Sequence, residues 1–361
     1  MLFQALLAQR PFKDFNDFDD FNHYDRRQTM TRFIHSTTRR TALATAALAL
    51  ASSAFWAAGT AHAAYPDKPI TLVVPTAAGG GNDGMARVVA IKLSTLLGQQ
   101  VIVENKAGAN GAIAAEYVAR SAPDGHTILF GYIGTHGMSP ALQKLRYDPI
   151  TQFEPIGMVS YSPTLMVVNP KVPAKTVSDF VALTKAKPND FNYASAGNGT
   201  APHFSAEIFK LESGAQMAHV PYRGAAPAMN DTMAGQTQVM FPSLFSAYPH
   251  VKNGKLRALA LAGPKRSSLL PDVPTLEEAG VKGVEITQWY ALFAPGKTPR
   301  PVIDLLNKTL NTALADKDVV RRIEEQGAVV DTSTPEQLAL TVKQELAKWK
   351  GVVLKAQLTP D

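Results

Sequence analysis

PITLVVPTAAGGGNDGMAR, residues 69–87, is the stretch on which the reading of the whole chain turns. Residues 70–74 form a short, β-branched apolar run, the pattern of a buried parallel strand. Pro75 ends it, because proline has no N–H to give a ladder. Thr76, Ala77 and Ala78 follow, then Gly79, Gly80 and Gly81. From Asn82 onward Met85, Val88, Val89, Lys92 and Leu96 recur at helical spacing, so a helix is expected to start near Asn82–Asp83. Strand, small-residue loop and helix N-terminus together make an anion-binding device. The first N–H groups of a helix lack partners, its dipole favours negative charge, and glycines let a ligand approach the backbone.

Three readings compete for this device. Gly79, Gly81 and Gly84 satisfy G-x-G-x-x-G, and Glu104 follows about twenty residues later, as a dinucleotide fold requires. Against that, four residues separate the strand from the first glycine, and Asp83 would repel a pyrophosphate from the first helical turn. A small-carboxylate site is the second reading. A glycine loop that merely turns the chain is the plain alternative.

The chain of 361 residues is 45% hydrophobic, enough for a large core and two lobes. Its net charge of +6 is mild, and the basic residues are dispersed, so the patch that nucleic-acid binding needs is missing. There is no cysteine, which excludes disulfides, thiolate metal sites, a cysteine nucleophile and a lipid-modified N-terminal cysteine.

Residues 1–29 are acidic and aromatic without a clean period, and read as an upstream extension before a true start at Met30. Residues 30–63 read as an export signal. Arg32, Arg39 and Arg40 form its basic region, residues 42–58 its apolar region, and Ala61-His62-Ala63 its cleavage site. Thr38-Arg39-Arg40 is similar to a twin-arginine signal, although Ala42 stands where a bulky apolar residue is usual. The mature chain is expected to begin at Ala64, in the periplasm.

From there strands and helices alternate, which argues for mainly parallel sheets. Strands are expected over 101–104 and 126–132, with a helix over 111–120 and a loop over 134–137. Residues 153–169 are apolar and β-rich, interrupted at Ser162-Pro163, and read as a crossing between lobes. A second alternation follows. A helix over 177–187 begins with a Thr176/Asp179 capping box, and a strand over 191–194 leads into the loop Ser195-Ala196-Gly197-Asn198-Gly199-Thr200. Pro202 lies just inside the next helix. Strands are expected over 218–221, 238–241 and 256–262, a helix over 225–234, and a return crossing over 285–294. The end is helical, over 300–314, 317–325 and 335–355. Two α/β halves therefore each carry a glycine-rich strand–loop–helix turn. Ligands of open α/β sheets bind beyond the carboxyl ends of the strands, so the 76–83 and 195–200 loops are expected to face one cleft.

At this point the chain resembles the Bug/TctC solute-binding proteins of tripartite tricarboxylate transporters. The marks are YPDKPITLVVPTAAGGGNDGMAR, VIVENKAGANGAIAAEYVARSAPDGHTILFG, VPYRGAAPAMND, GKLRALALAGPKRSSLLPDVPTLEEAG and WYALFAPGKTP. The resemblance implies a type II periplasmic binding protein fold: two α/β lobes with a hinge and a ligand cleft between them. The lobes would comprise 64–165 plus 289–361, and 166–288. It further implies that the loops matching Thr76 to Asp83 and Ser195 to Thr200 hold a ligand carboxylate, largely through backbone amides and bridging waters. The expected ligand-binding set is Thr76, Ala77, Ala78, Gly80, Gly81, Asn82, Asp83, Thr135, His136, the six residues Ser195 to Thr200, and Asp231. Asn82 stands where Thr or Ser is commoner, and Gln238 where Asp is frequent.

Several of these residues have plainer roles available. Asp83 could complement the helix dipole and pair with Arg87 at i,i+4; His136 and His203 could be structural, and Asp231 a solvated helix acid. Trp289, Tyr290 and Phe241 read as core. An enzyme on the same fold is the competing class, but Tyr193 stands where a nucleophile elbow needs glycine, and no metal-ligand spacing is present. The expectation is an exported, monomeric binding protein for a small organic carboxylate. It would serve membrane transporter subunits and use no cofactor, metal or nucleic acid.

Overall fold

A computed structural model describes residues 65–359; the extension over 1–29 and the signal over 30–63 lie outside the described residues. β1 (Ile70–Val74) pairs in parallel with β2 (Val101–Asn105) and β3 (Thr127–Tyr132). Its side chains are buried at every position but Thr71, as a strand covered on both faces requires. α1 (Gly81–Leu97) links β1 to β2, and α2 (Ala112–Ala119) links β2 to β3. β3 then pairs antiparallel with β9 (Thr287–Pro295), and β9 with β4 (Phe153–Val168).

β4 is shared between two sheets. It follows β9 as far as Pro163, opposite Thr287, and from Thr164 onward pairs with β8 (Arg257–Ala262). At Val167 and Val168 it also pairs with β7 (Val239–Met240). β5 (Asn192–Ser195) lies parallel between β7 and β6 (Ala218–Pro221). Pro163 therefore falls where partners change, the part of a long strand that best tolerates a missing donor. The chain returns beside it: Thr164 N–H donates to Ile286 O at 3.1 Å, and Ile286 N–H to Ala262 O at 2.8 Å. The result is two α/β lobes joined by the two apolar crossings.

In the second lobe α4 (Val177–Ala186) starts with the expected capping box. Asp179 N–H donates to Thr176 Oγ1 at 3.1 Å, and Thr176 N–H to Asp179 Oδ2 at 3.0 Å. α5 (Ala201–Ser213), α6 (Ala225–Ala234) and α7 (Leu244–Lys252) complete it. α8 (Arg300–Leu314), α9 (Lys317–Glu324) and α10 (Pro335–Lys355) pack back on the first lobe. There Asn307 Nδ2 donates to Ile156 O at 2.7 Å, and Met158 N–H to Ser333 Oγ at 2.9 Å.

Three elements depart from the sequence reading. The stretch expected as a loop over 134–137 is a wide helical turn, Gly134–Met138, running into α3 (Ser139–Leu142). α7 carries Pro249 inside it and was not expected. Neither was β10 (Val329–Val330), a two-residue strand paired with Ser160 and Tyr161 of β4.

Candidate functional site

The carboxyl ends of β1, β3, β5 and β6 meet at one cleft with a cavity volume of about 90 Å³. Its walls are Pro75 and Thr76 after β1, residues 107–111 after β2, and Tyr132 at the end of β3. The second lobe contributes Ala196 after β5, and Tyr222, Arg223 and Gly224 after β6.

Two helices begin at this cleft, and a third begins at the end of the loop after β1. Gly80 precedes α1, Gly111 precedes α2 and Gly224 precedes α6, and none of the three starts is capped by a side chain. Gly111 and Gly224 line the cleft themselves. A Cβ on Gly224 would lie 3.8 Å from Ala77 Cβ, so the start of α6 sits directly across from the loop after β1. Thr76 Oγ1 is buried at the wall without a hydrogen-bond partner among the described residues. Converging uncapped helix N-termini favour negative charge between them. Arg223, exposed on the rim, adds a full positive charge.

Asp83 shapes the first loop from behind. Its carboxylate accepts from Gly79 N–H at 2.9 Å, Arg87 Nε at 3.1 Å and Asn105 Nδ2 at 2.9 Å. Asn105 Nδ2 also donates to Thr76 O at 3.0 Å. Burial pushes the carboxyl pKa up, but the hydrogen bonds from Arg87, Gly79 and Asn105 outweigh it and hold it below the usual range. Asp83 therefore spends its oxygens on its own loop, and of the segment from Thr76 to Asp83 only Thr76 lines the cleft. Gly81 instead admits the start of α7: a Cβ there would stand 3.1 Å from Ser246 Cβ. Asn82 is buried beside it. Ala77 faces Gly224, whereas Ala78 and Gly80 shape the loop without lining the cleft.

The second expected loop is turned inward. Gly197 N–H donates to Ser195 Oγ at 3.0 Å, Gly199 N–H to His203 Nδ1 at 3.2 Å, and Thr200 Oγ1 to Gly197 O at 2.6 Å. Only Ala196 of the six borders the cleft; Ser195, Gly197, Asn198, Gly199 and Thr200 do not. Of the two helix starts in this part of the lobe, that of α6 borders the cleft through Gly224 and that of α5 does not. Thr135 and His136 lie fully buried in the first lobe, the imidazole stacked on Phe293. Asp231 accepts from Tyr222 Oη at 2.7 Å, which fixes the ring at the cleft wall. Burial and that carboxylate push the Tyr222 pKa up to about 12, so its hydroxyl remains a donor.

Residues 107–111, Tyr132, Tyr222, Arg223 and Gly224 were not in the expected set. Their signal was present in KAGANGA and YRGAAP, each of which sets small residues and a glycine directly before a helix, as the first loop does. Among the described residues no group of three or more His, Asp or Glu could hold a metal ion.

The family model described as the tripartite tricarboxylate transporter family receptor matches residues 85–358. The solved structure of the periplasmic binding protein BugD is 37% identical, with a TM-score of 0.80, covering 82% of this chain and 100% of its own. R. palustris Rpa4515, solved with adipate, is 33% identical at a TM-score of 0.80, covering 82% of this chain and 100% of its own. MatC from Rhodopseudomonas palustris, solved with bound malate, is 35% identical at a TM-score of 0.77, covering 80% and 100% respectively. On the strength of a match that spans both lobes, the chain belongs to the receptor family of the tripartite tricarboxylate transporters.

Proposed function

We propose that this protein is a periplasmic solute-binding protein that captures a small organic carboxylate in the interlobe cleft and hands it to membrane transporter subunits. The observation that carries the reading is the convergence of the uncapped starts of α2 and α6 on one small cleft with Arg223 at its rim. Charge-assisted hydrogen bonds to a carboxylate are stronger than neutral ones, and a guanidinium can hold a second carboxylate through two parallel bonds. Malate and adipate in the related structures support a ligand of this class.

Binding, not turnover, is the proposed role. Ser195 Oγ and His219 Nε2 are 2.6 Å apart, the spacing of a nucleophile and its base. The hydroxyl is fully buried, also takes the Gly197 N–H, and does not border the cleft. Export follows from the signal over 30–63, with cleavage before Ala64 and the mature protein acting as a monomer. No helix of the described residues is long and apolar enough to cross a membrane.

Thermal shift with malate and adipate, each beside its diamide, tests the reading. A ligand at about 100 times its dissociation constant stabilises by roughly 2.7 kcal/mol. The acids should raise the melting temperature and the diamides should not, while Arg223→Ala should weaken diacid binding by roughly tenfold, about 1.4 kcal/mol. Equal shifts from acid and diamide would overturn the carboxylate site.

A further inference from the structure

Two residues of the first lobe meet the 197–199 loop of the second directly, Asn110 by close packing and Ser139 by a hydrogen bond. Asn110 sits in the left-handed region, at φ 55° and ψ 33°, with its carbonyl accepting from Tyr132 Oη at 3.3 Å. Its side chain reaches across between two glycines. A Cβ on Gly197 would overlap Asn110 Oδ1, and one on Gly199 would stand 3.3 Å from Asn110 Nδ2. Gly197 and Gly199 have φ of 116° and 76°, so no other residue type takes this path without strain. Ser139 makes the second hold: its fully buried hydroxyl donates to Gly199 O at 3.2 Å. The same loop is stiffened internally by Ser195, Thr200 and His203, so a grip on it is a grip on the lobe.

We propose that Asn110 and Ser139 form a ligand-independent latch on the 197–199 loop, and that this latch sets how far the lobes are closed before ligand arrives. None of its contacts passes through the cleft contents. The latch therefore acts on the open–closed equilibrium itself, and its effect on affinity, which rests on the proposed carboxylate binding, follows from that equilibrium. A protein whose competent state is populated to a fraction f binds with its intrinsic dissociation constant divided by f. Removing the Ser139 hold lowers f and weakens binding without changing the cleft wall; Asn110 also borders the cleft, so for Asn110 the ligand-free distances carry the test.

The absence of cysteine makes a direct test simple. Tyr117→Cys on α2 and Asn230→Cys on α6, both exposed, place spin labels on the two helices that face each other across the cleft. Label–label distances are then measured without ligand by pulsed electron paramagnetic resonance. With the latch intact the ligand-free distribution should be dominated by the short, closed distance. Asn110→Gly keeps the left-handed backbone and removes the side chain; Ser139→Ala removes the other hold. Each should move the ligand-free population toward longer distances. Malate or adipate, where bound, should restore the short distance at concentrations higher by on the order of three- to tenfold. A ligand-free wild type that is wholly open, or distances unchanged by both substitutions, would overturn the latch. Failure of malate and adipate to bind would count against the carboxylate reading alone, because the ligand-free distances still decide the latch.

Discussion

His136 carries a fully buried imidazole stacked on Phe293, with ring centroids 3.9 Å apart and Nδ1 2.9 Å from Thr135 Oγ1. Burial drops its pKa from 6.5 to about 3, since the charged form would have to give up its hydration. The sign of the pH dependence follows. Between pH 6.5 and 3 the unfolded chain takes up a proton at this position that the folded chain refuses, so stability falls as pH drops through that window. His136→Phe should flatten the fall, measured as urea-unfolding free energy at pH 7, 5.5 and 4.5. It should not abolish it, because burial and then Lys255 also lower the His250 pKa. Asp83 is separated by its window: its lowered pKa costs stability only once the pH falls below about 4. An unchanged slope in His136→Phe would mean that the ring is solvated. The sequence could not show this burial, because Gly134-Thr135-His136-Gly137 has the composition of a loop, and only its helical turn under Phe153 and Phe293 puts the ring inside.

Among the elements, the strand at Ala218–Pro221 and the helices Ala225–Ala234, Arg300–Leu314 and Pro335–Lys355 fall on the residues their patterns picked. Their ends are written locally, in Gly235 after α6 and in the prolines at the starts of α8 and α10. β10 owes its strand state to β4, far away in sequence, and α7 is hidden by Pro242 and Pro249. The site was half legible for a similar reason. SAGNGT and YRGAAP are equally good preludes to a helix; only the folded chain reveals that the first satisfies its N–H groups with Ser195 and His203. Glycines in these turns also differ in ways that can be measured. Gly84 lies inside α1, where a Cβ would meet Phe245 Cε1 at an ordinary 3.6 Å. Gly84→Ala should stabilise by about 0.5–1 kcal/mol in urea unfolding, by restricting the unfolded chain. Gly111 has φ 86°, and a Cβ there would lie 2.8 Å from both Pro75 Cβ and Thr135 Cγ2. Gly111→Ala should therefore destabilise by about 1–3 kcal/mol in the same assay. Equal effects from the two substitutions would contradict these conformations.

At the scale of the whole molecule, the main core runs through both lobes, and a second, smaller cluster around Ala194, Met240 and Leu261 lies within the second lobe. The main cluster runs from Ile70, Leu72 and Phe130 through β4 and β9 to Phe180, Phe209 and Val239 of the second lobe. α10 strengthens the join: Trp349 packs edge-on against Phe204 of α5, with centroids 5.4 Å apart. Its Nε1 donates to Glu345 at 2.8 Å, and the same carboxylate takes Trp289 Nε1 at 3.2 Å. Lobes with separate cores would unfold separately, whereas a core that crosses the hinge couples them. The chain from Ala64 onward should accordingly unfold in urea in one transition. Its two tryptophans, Trp289 and Trp349, are both buried on the first-lobe side, so their fluorescence reports that side, while far-UV circular dichroism reports both lobes. Coincident midpoints are expected. Phe180→Ala, in the second lobe and packed on Phe191 and Phe209 away from either tryptophan, removes a fully buried ring and should cost about 3–5 kcal/mol. Because the core is shared, that cost should lower the fluorescence midpoint as much as the circular dichroism midpoint. A fluorescence transition that stays put while the circular dichroism curve splits in two would show that the lobes fold independently and that the crossings are linkers only.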